Sequence, residues 1–295
     1  MDGFAKLTLA PQDVPLSDTG KREASEAADQ LHSFLYDIDA CFTSILSRAQ
    51  DTLETCLDAL HKPPDTYIDY RLSERHYGAL QGFVKKEVED GKFGHDPDDV
   101  EAWRRSWYAV PPQLTDDDPR RVEELAIYGN IAPRGESLEM VAKHRIRPFV
   151  NDVLTPVLDE AATRRHSRQG TGLIVAHANS LRALLGVLCE VEDDLEAIHV
   201  LEQLKIPTGI PLVIRYQQLA NGKFQALPPP EADECLIRFD EGLIKAPKAP
   251  PGFGHPKLPV WPLDTCMPIL SPEAIHIKRK IRSKRRKLRR KVVRV

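Results

Sequence analysis

Apolar residues along this chain recur at two different spacings, and the two spacings predict alternating helices and strands. Helical spacing on either side of a short apolar run predicts a helix, a strand and a helix between residues 15 and about 60. A further helix is predicted from residue 135 to about 158. The continuous apolar run 172–176 is typical of a buried parallel strand, and the amphipathic segment after it predicts another helix. A last strand is predicted at 210–216, so the pattern indicates an α/β fold.

The remaining segments depart from this pattern in composition. Residues 85–112 are charged and contain aromatic residues and prolines, which predicts an insertion of short helices and loops. Prolines are frequent from 228 to 276, and we predict a linker with little regular structure there. Residues 277–295 form a basic tail that is predicted to be disordered. The sequence therefore predicts one domain over residues 1–227, followed by a linker and a tail.

The formal net charge of −3 conceals a strong asymmetry. Twelve of the 41 Lys and Arg residues lie between Lys278 and Arg294, where there is no Asp or Glu. The rest of the chain has 29 basic and 44 acidic residues, a formal charge of −15. The tail could bind nucleic acid or an anionic membrane by charge, or it could be a solvated extension without a partner, which is the interpretation we favour.

The sequence also indicates the compartment. It lacks the roughly 18 consecutive apolar residues of a membrane helix, and its first residues do not resemble a signal peptide. Its five cysteines are scattered without C-x-x-C spacing, which argues against a disulfide framework and a zinc site. We therefore expect a cytoplasmic protein.

His177 stands at the end of the predicted strand 172–176 and directly before a helix. Ligands of open α/β sheets bind at this end of the strands, and the free N–H groups of a helix N-terminus favour phosphate. Asn179 and Ser180 could form further hydrogen bonds there. A buried neutral histidine with capping neighbours would give the same pattern, so this segment alone leaves both interpretations open.

The segment from Arg71 to Tyr77 concentrates two arginines, a carboxylate, an imidazole and a phenol. A carboxylate in a partly closed site, such as Glu74, is a candidate general acid or base. Arginine makes rigid bidentate contacts to phosphate. A solvated cluster of salt bridges is the alternative interpretation.

Other cationic residues favour a polyanionic ligand. Arg104 and Arg105 lie next to two tryptophans, with Lys85 upstream of them and Arg48 nearer the start of the chain. Adjacent arginines are common on ordinary surfaces and would mean little alone. Together with the two preceding segments, however, they favour phosphoester chemistry on a small substrate.

The twelve residues from Arg71 to Gly82, RLSERHYGALQG, resemble the signature of the 2,3-bisphosphoglycerate-dependent phosphoglycerate mutase family of the histidine phosphatase superfamily, which has Asn where Ser73 stands. The resemblance covers about residues 13–216 and continues through residues 103–106 with 110–112, 135–138, 174–182 and 206–213. It implies a three-layer α/β/α sandwich with a mostly parallel central sheet.

The resemblance also implies an activity. The family interconverts 2-phosphoglycerate and 3-phosphoglycerate in glycolysis and gluconeogenesis through a phosphohistidine. It is primed by 2,3-bisphosphoglycerate, needs no metal, and forms homodimers or homotetramers. Bisphosphoglycerate synthase and phosphatase activities share this site, and the motifs do not separate them.

The same resemblance implies roles for individual residues. Glu74 is the proton donor and acceptor, His177 stabilises the transferring phosphoryl group, and Arg48 binds phosphate. The substrate-binding positions are Arg75, His76, Tyr77, Lys85, Arg104, Arg105, Ala178 and Asn179. The family usually has Gly at position 178, so the methyl group of Ala178 is a small departure.

One part of the family pattern is absent from this sequence. The family's nucleophile is a histidine in an Arg-His-Gly motif that ends the first, central strand, and this sequence contains no such motif. No phosphohistidine can form without that histidine, so we predict that the chain as printed is inactive. We interpret the sequence as an N-terminally truncated mutase whose first strand is missing. A catalytically inactive, mutase-like binding protein is the alternative.

Overall fold

The computed structural model describes residues 13–33, 38–58, 64–164, 170–227 and 257–262. Within these ranges the helices are α1 (Asp18–Ser33), α2 (Ser47–Leu57), α3 (Lys85–Glu89), α4 (Pro97–Arg105), α5 (Pro119–Tyr128), α6 (Leu138–Val141), α7 (Arg147–Phe149), α8 (Thr155–Arg164), α9 (Ala178–Leu188) and α10 (Leu195–Gln203). The strands are β1 (Ala40–Thr43), β2 (Asp65–Ile68), β3 (Gly172–Val175), β4 (Leu212–Gln218), β5 (Phe224–Leu227) and β6 (Val260–Pro262).

The centre of the fold is a parallel sheet with strand order β2-β1-β3. All four residues of β1 are buried, and successive side chains point to opposite faces of the sheet. Phe42 packs on Phe149 at 5.7 Å between ring centroids, whereas Cys41 faces Cys56 of α2. Helices therefore cover both faces of the sheet, as in other parallel sheets. The predicted three-layer α/β/α sandwich is confirmed.

Two apolar clusters fill the space between the layers. The larger one joins the sheet to α6–α10 and includes Phe42, Trp107 and Phe149. The smaller one joins α1 and α2 to Leu173 of β3 and Val213 of β4. The predicted helices and strands of these layers are present, with their ends shifted by a few residues. Residues 85–112 contain α3, α4 and loops, as the composition predicts.

The chain from α6 to α8 is one continuous helix with two π-helical segments, Ala142–Ile146 and Val150–Leu154. Each segment is followed by a proline two residues later, Pro148 and Pro156. A proline inside a helix has no N–H to donate, and its ring collides with the carbonyl group four residues earlier. The residue before each proline bonds five residues back instead, which produces the π turn.

A second sheet, with strand order β5-β4-β6, is antiparallel. Its strand β6 lies inside the predicted linker 228–276, and Leu258 and Val260 are fully buried. Lys257 forms ion pairs with Asp194 and Glu196 at the start of α10. Residues 257–262 of the predicted linker thus contain a short strand that the proline content did not indicate, because apolar burial stabilises it there.

Two other sequence predictions fall outside the described residues. These are the missing first strand, which concerns the chain before Asp13, and the disordered tail 277–295. None of the helices given above has the length and apolar character that a membrane crossing requires.

Candidate active site

The candidate residues meet where the three parallel strands end. The chain leaves β1 at Ser44, leaves β2 toward the segment that contains Glu74, and leaves β3 toward His177. The carboxyl ends of parallel strands lie at one edge of a sheet, so segments distant in sequence become neighbours there. Arg48, in the first turn of α2, lies close enough for its charge to interact with Glu74 and His177. The three predicted catalytic residues are thus brought together.

A buried ion pair holds the backbone of the loop that carries Glu74. Arg145 lies in the first π segment and is paired with Glu136 at 2.9 Å. Arg145 also donates to the carbonyl oxygen of Ser73 at 3.0 Å, and Glu136 accepts from the backbone N–H of His76 at 3.0 Å. Both charged side chains are almost fully buried. The backbone on either side of Glu74 is therefore fixed by charge-assisted hydrogen bonds.

His177 is a buried, neutral imidazole. Its Nε2 lies 2.8 Å from the hydroxyl oxygen of Ser44, which itself accepts from the backbone N–H of Leu46. Burial, followed by the charges of Arg48 and Arg145, lowers the pKa of His177 from 6.5 to about 3. Ser44 can donate to Nε2 or accept from it, so either ring nitrogen of the neutral imidazole can carry the proton. A neutral ring of this kind can donate to a phosphoryl oxygen but carries no charge at neutral pH.

The lowered pKa of His177 predicts a dependence of stability on pH. Between about pH 6.5 and pH 3 the unfolded chain binds a proton at this residue that the folded chain does not. The free energy of unfolding should therefore fall as the pH is lowered through this window, by up to about 1.4 kcal/mol per pH unit from this group. In urea titrations at several pH values, His177→Asn should show a shallower fall than the wild-type protein.

The exposed His144 offers a matched control, because its ring is not buried. His144→Asn should leave the wild-type dependence on pH unchanged. Equal slopes for wild type and His177→Asn would contradict a buried neutral imidazole at position 177.

Arg75 is a buried cation whose hydrogen-bonding groups are only partly used. Its side chain is fully buried, and it lies over the ring of Tyr77 at 4.7 Å. One of its terminal nitrogens donates to the carbonyl oxygen of Trp103, whereas Nε and Nη1 have no hydrogen-bond partner in the described part of the chain. A buried cation with unused donors is costly unless an anion occupies the site.

Arg104 and Arg105 end α4 on the same side of the site as Arg75. Burial lowers the pKa of Arg104, and the charges of Arg105 and Arg75 act in the same direction. Arg104 is partly neutralised by an ion pair with Glu89. The local excess of positive charge is what a ligand with several negative charges requires.

Three other predicted substrate-binding residues, His76, Ala178 and Lys85, differ from one another in burial and in hydrogen bonding. His76 is buried, accepts from the N–H of Gly78 at Nδ1 and contacts Glu124 at Nε2, 3.0 Å away, so its ring is engaged within the protein. Ala178 is exposed in the first turn of α9. Lys85 begins α3, and its side chain is outside the described part of the structure.

A cleft of about 480 Å³ lies beside Glu74. Its walls include Ile45, Leu46, Tyr70, Tyr128 and Arg145. The half-buried Glu74 lines this cleft, whereas His177, Arg48 and Arg75 are not among its lining residues. A carboxylate in this position can exchange a proton with a bound hydroxyl group.

Four residues that the sequence analysis did not select contribute to the site: Ser44, Glu136, Arg145 and Arg182. Ser44 follows β1 directly, so the rule that ligands bind at strand ends could have identified it. Arg145 stands in a run of basic residues and Glu136 in a turn, and neither pattern indicates burial. Only the folded structure reveals that these charges lie inside the protein.

Comparisons with known proteins identify the family of the chain and support its fold. Residues 6–205 match the model of the histidine phosphatase superfamily, branch 1. A 2,3-bisphosphoglycerate-dependent phosphoglycerate mutase from Lachnoclostridium phytofermentans is 39% identical over 217 residues, covering 72% of this chain and 80% of the relative. A relative of the same name from Buchnera aphidicola is 37% identical over 214 residues, covering 71% of this chain and 86% of its own length.

Solved structures support the fold. A mycobacterial glucosyl-3-phosphoglycerate phosphatase superposes with a TM-score of 0.54 at 21% identity, covering 74% of this chain and 86% of that one. Identity at this level bears on the fold alone. The sequence relatives bear on the family: the chain belongs to the histidine phosphatase superfamily and, within it, to the 2,3-bisphosphoglycerate-dependent phosphoglycerate mutases.

Proposed function

We propose that this protein interconverts 2-phosphoglycerate and 3-phosphoglycerate in glycolysis and gluconeogenesis, with 2,3-bisphosphoglycerate as primer. The observation that carries the proposal is the buried guanidinium of Arg75, which has two nitrogens without a hydrogen-bond partner in the described chain and lies near Tyr77 and Arg104. A phosphoglycerate supplies both a phosphate and a carboxylate to such a site. The names of the sequence relatives support the same substrate.

The proposed roles follow from position and charge. Arg48 and the free N–H groups in the first turn of α9 hold the transferring phosphoryl group, and neutral His177 donates to one of its oxygens. Glu74 exchanges a proton with the substrate hydroxyl group. The remaining contacts come from the substrate-binding positions Arg75, His76, Tyr77, Lys85, Arg104, Arg105, Ala178 and Asn179.

The primer fits the same groups. Nε and Nη1 of Arg75 are donors without partners in the described chain, and Arg104 and Arg105 add positive charge near them. When bound, 2,3-bisphosphoglycerate would supply the phosphoryl group of the phosphohistidine. The family's Arg-His-Gly motif does not occur in the printed sequence, so this step needs a histidine that the sequence does not show.

Two measurements test the proposal. Isothermal titration should show 3-phosphoglycerate binding with a dissociation constant of about 1 mM or tighter. Glycerol 3-phosphate, which lacks the carboxylate, should bind at least about tenfold more weakly because Arg contacts to that group are lost. Absence of binding, or equal binding of both compounds, would count against a phosphoglycerate site.

The nucleophile is tested by the intact mass and N-terminal peptide of the protein isolated from its source. A peptide containing Arg-His-Gly, together with mutase activity, would support the mutase. A protein that begins at Met1 and binds phosphoglycerate without turnover would support the inactive, mutase-like binding protein.

Other parts of the proposal concern the cellular location, the oligomeric state and the basic tail. We propose a cytoplasmic location and a homodimer or homotetramer, which cell fractionation and light scattering would test. The tail 277–295 is proposed to be a solvated extension. If DNA binding depends on salt in the full chain and is lost when the tail is deleted, the tail is instead a nucleic-acid contact. Binding of the tail to anionic vesicles would identify a membrane contact.

A further inference from the structure

Arg182 is a buried arginine that lies behind the site. It stands in α9, five residues after His177, and only 8% of it is exposed. Its Nη1 donates to Oδ1 of Asn179 at 2.5 Å, and its Nη2 donates to the carbonyl oxygen of Leu204 at 2.7 Å. No carboxylate in the described ranges forms an ion pair with it. Both of its hydrogen bonds end on neutral oxygens, and the carboxylate that acts on its charge is that of Glu74, which forms no ion pair with it in the described ranges.

The contact with Arg182 decides which way the amide of Asn179 points. An arginine can only donate, so the amide oxygen must face Arg182 and the amide nitrogen must face the opposite side. On that side Nδ2 of Asn179 donates to the hydroxyl oxygen of Tyr77 at 2.5 Å. An uncharged neighbour that can also accept would allow the amide to rotate by half a turn.

The orientation of this amide in turn decides what the hydroxyl group of Tyr77 can do. Because the Tyr77 oxygen accepts from Asn179, its own hydrogen must point elsewhere. Tyr77 is buried, and Arg104 is near enough for their charges to interact. Arg75 lies against its ring and also interacts with its hydroxyl group, to which an arginine can only donate. The hydroxyl hydrogen therefore remains available to an anion held by these arginines. With the amide reversed, Tyr77 would donate to Asn179 and present lone pairs to the anion instead.

We propose that Arg182 is a positioning residue that never contacts the substrate but makes Asn179 donate to Tyr77, so that the hydroxyl group of Tyr77 donates toward the bound phosphoglycerate. This inference rests on the proposed function and adds a residue to it. It also accounts for a buried arginine at this position, since Arg182 holds the amide in one orientation and adds to the positive potential of the site.

A double-mutant cycle distinguishes this role from a merely structural one. Arg182→Met and Tyr77→Phe should each raise the dissociation constant for 3-phosphoglycerate by about tenfold, since each removes the Tyr77 donor. If Arg182 acts through Tyr77, the double variant should bind little more weakly than either single variant. An additive loss of about 100-fold would mean independent effects and would overturn the proposal.

Two further variants control the experiment. Arg147→Met removes another partly buried arginine, whose partners Glu190 and Glu192 are outside the site, so it should lower stability without changing affinity. Arg182→Lys keeps the charge and a donor, and should recover most of the affinity even if Arg182→Met folds poorly. Failure of this rescue overturns the proposal. If wild-type protein does not bind 3-phosphoglycerate, the proposed function fails and this inference fails with it.

Discussion

Replacing Arg75 with Met should make the ligand-free protein more stable while it removes ligand binding. The guanidinium is fully buried with two donating nitrogens unpartnered in the described chain, so its removal should raise the free energy of unfolding by about 1–3 kcal/mol. The same change removes the charge-assisted contact that we propose between Arg75 and the ligand, and affinity for 3-phosphoglycerate should fall by about 100-fold or more. Urea unfolding and isothermal titration measure the two effects separately.

Ligand-dependent stability provides an internal check on this result. Saturating 3-phosphoglycerate should raise the unfolding midpoint of the wild-type protein and leave that of Arg75→Met almost unchanged. Arg147→Met should do the opposite, with lower stability and an unchanged response to ligand. A large loss of stability in ligand-free Arg75→Met would mean that Arg75 serves the fold, and the site would lose its strongest argument for an anion.

The largest loss of stability should follow from removing Arg145. Arg145→Met leaves Glu136 as a buried carboxylate without its partner, which typically costs about 3–5 kcal/mol. The carbonyl group of Ser73 also loses a donor, so the loop that carries Glu74 should loosen. Urea denaturation measures the loss, and weaker binding of 3-phosphoglycerate should accompany it because Glu74 is no longer fixed.

A cycle with Glu136→Gln separates the ion pair from general damage to the core. Glutamine keeps an oxygen that can accept from the N–H of His76 but no longer carries a charge. The coupling energy between the two substitutions should exceed about 1 kcal/mol, because each removes the same interaction. If Arg145→Met costs less than about 1 kcal/mol, the pair does not hold the loop.

The sequence predicted the layers of this fold because apolar periodicity reports burial directly. The run 172–176 is followed by a helix that begins at Ala178, and both elements are present in the structure. It did not predict β6, because prolines in 228–276 mask a short segment whose burial depends on contact with β4. The antiparallel arrangement of β4–β6 likewise depends on pairing between distant segments, which local pattern does not specify.

Some residues of the candidate site were predicted from the sequence, and others were found only in the structure. Motifs selected Glu74, His177 and Arg48, and the fold brings these residues to one edge of the parallel sheet. The substrate-binding roles stay predictions, and for His76 the ring is engaged with Glu124 inside the protein. Periodicity did not indicate that Arg145 or Arg182 is buried, although Arg182 lies in the matching segment 174–182, because a basic residue in a helix usually faces solvent.

By itself, then, the sequence determined most of the helices and strands and the family, and it selected the candidate residues for the chemistry, because these follow from periodicity and from short motifs. The tertiary structure decided which charges are buried and what each one faces. Arg75 and Tyr77 lie two residues apart in the chain. Burial leaves donors of Arg75 without partners, and the amide of Asn179 sets the direction of the hydrogen bond at Tyr77. Desolvation and hydrogen-bond direction arise only when distant segments pack together, so they cannot be read from local sequence.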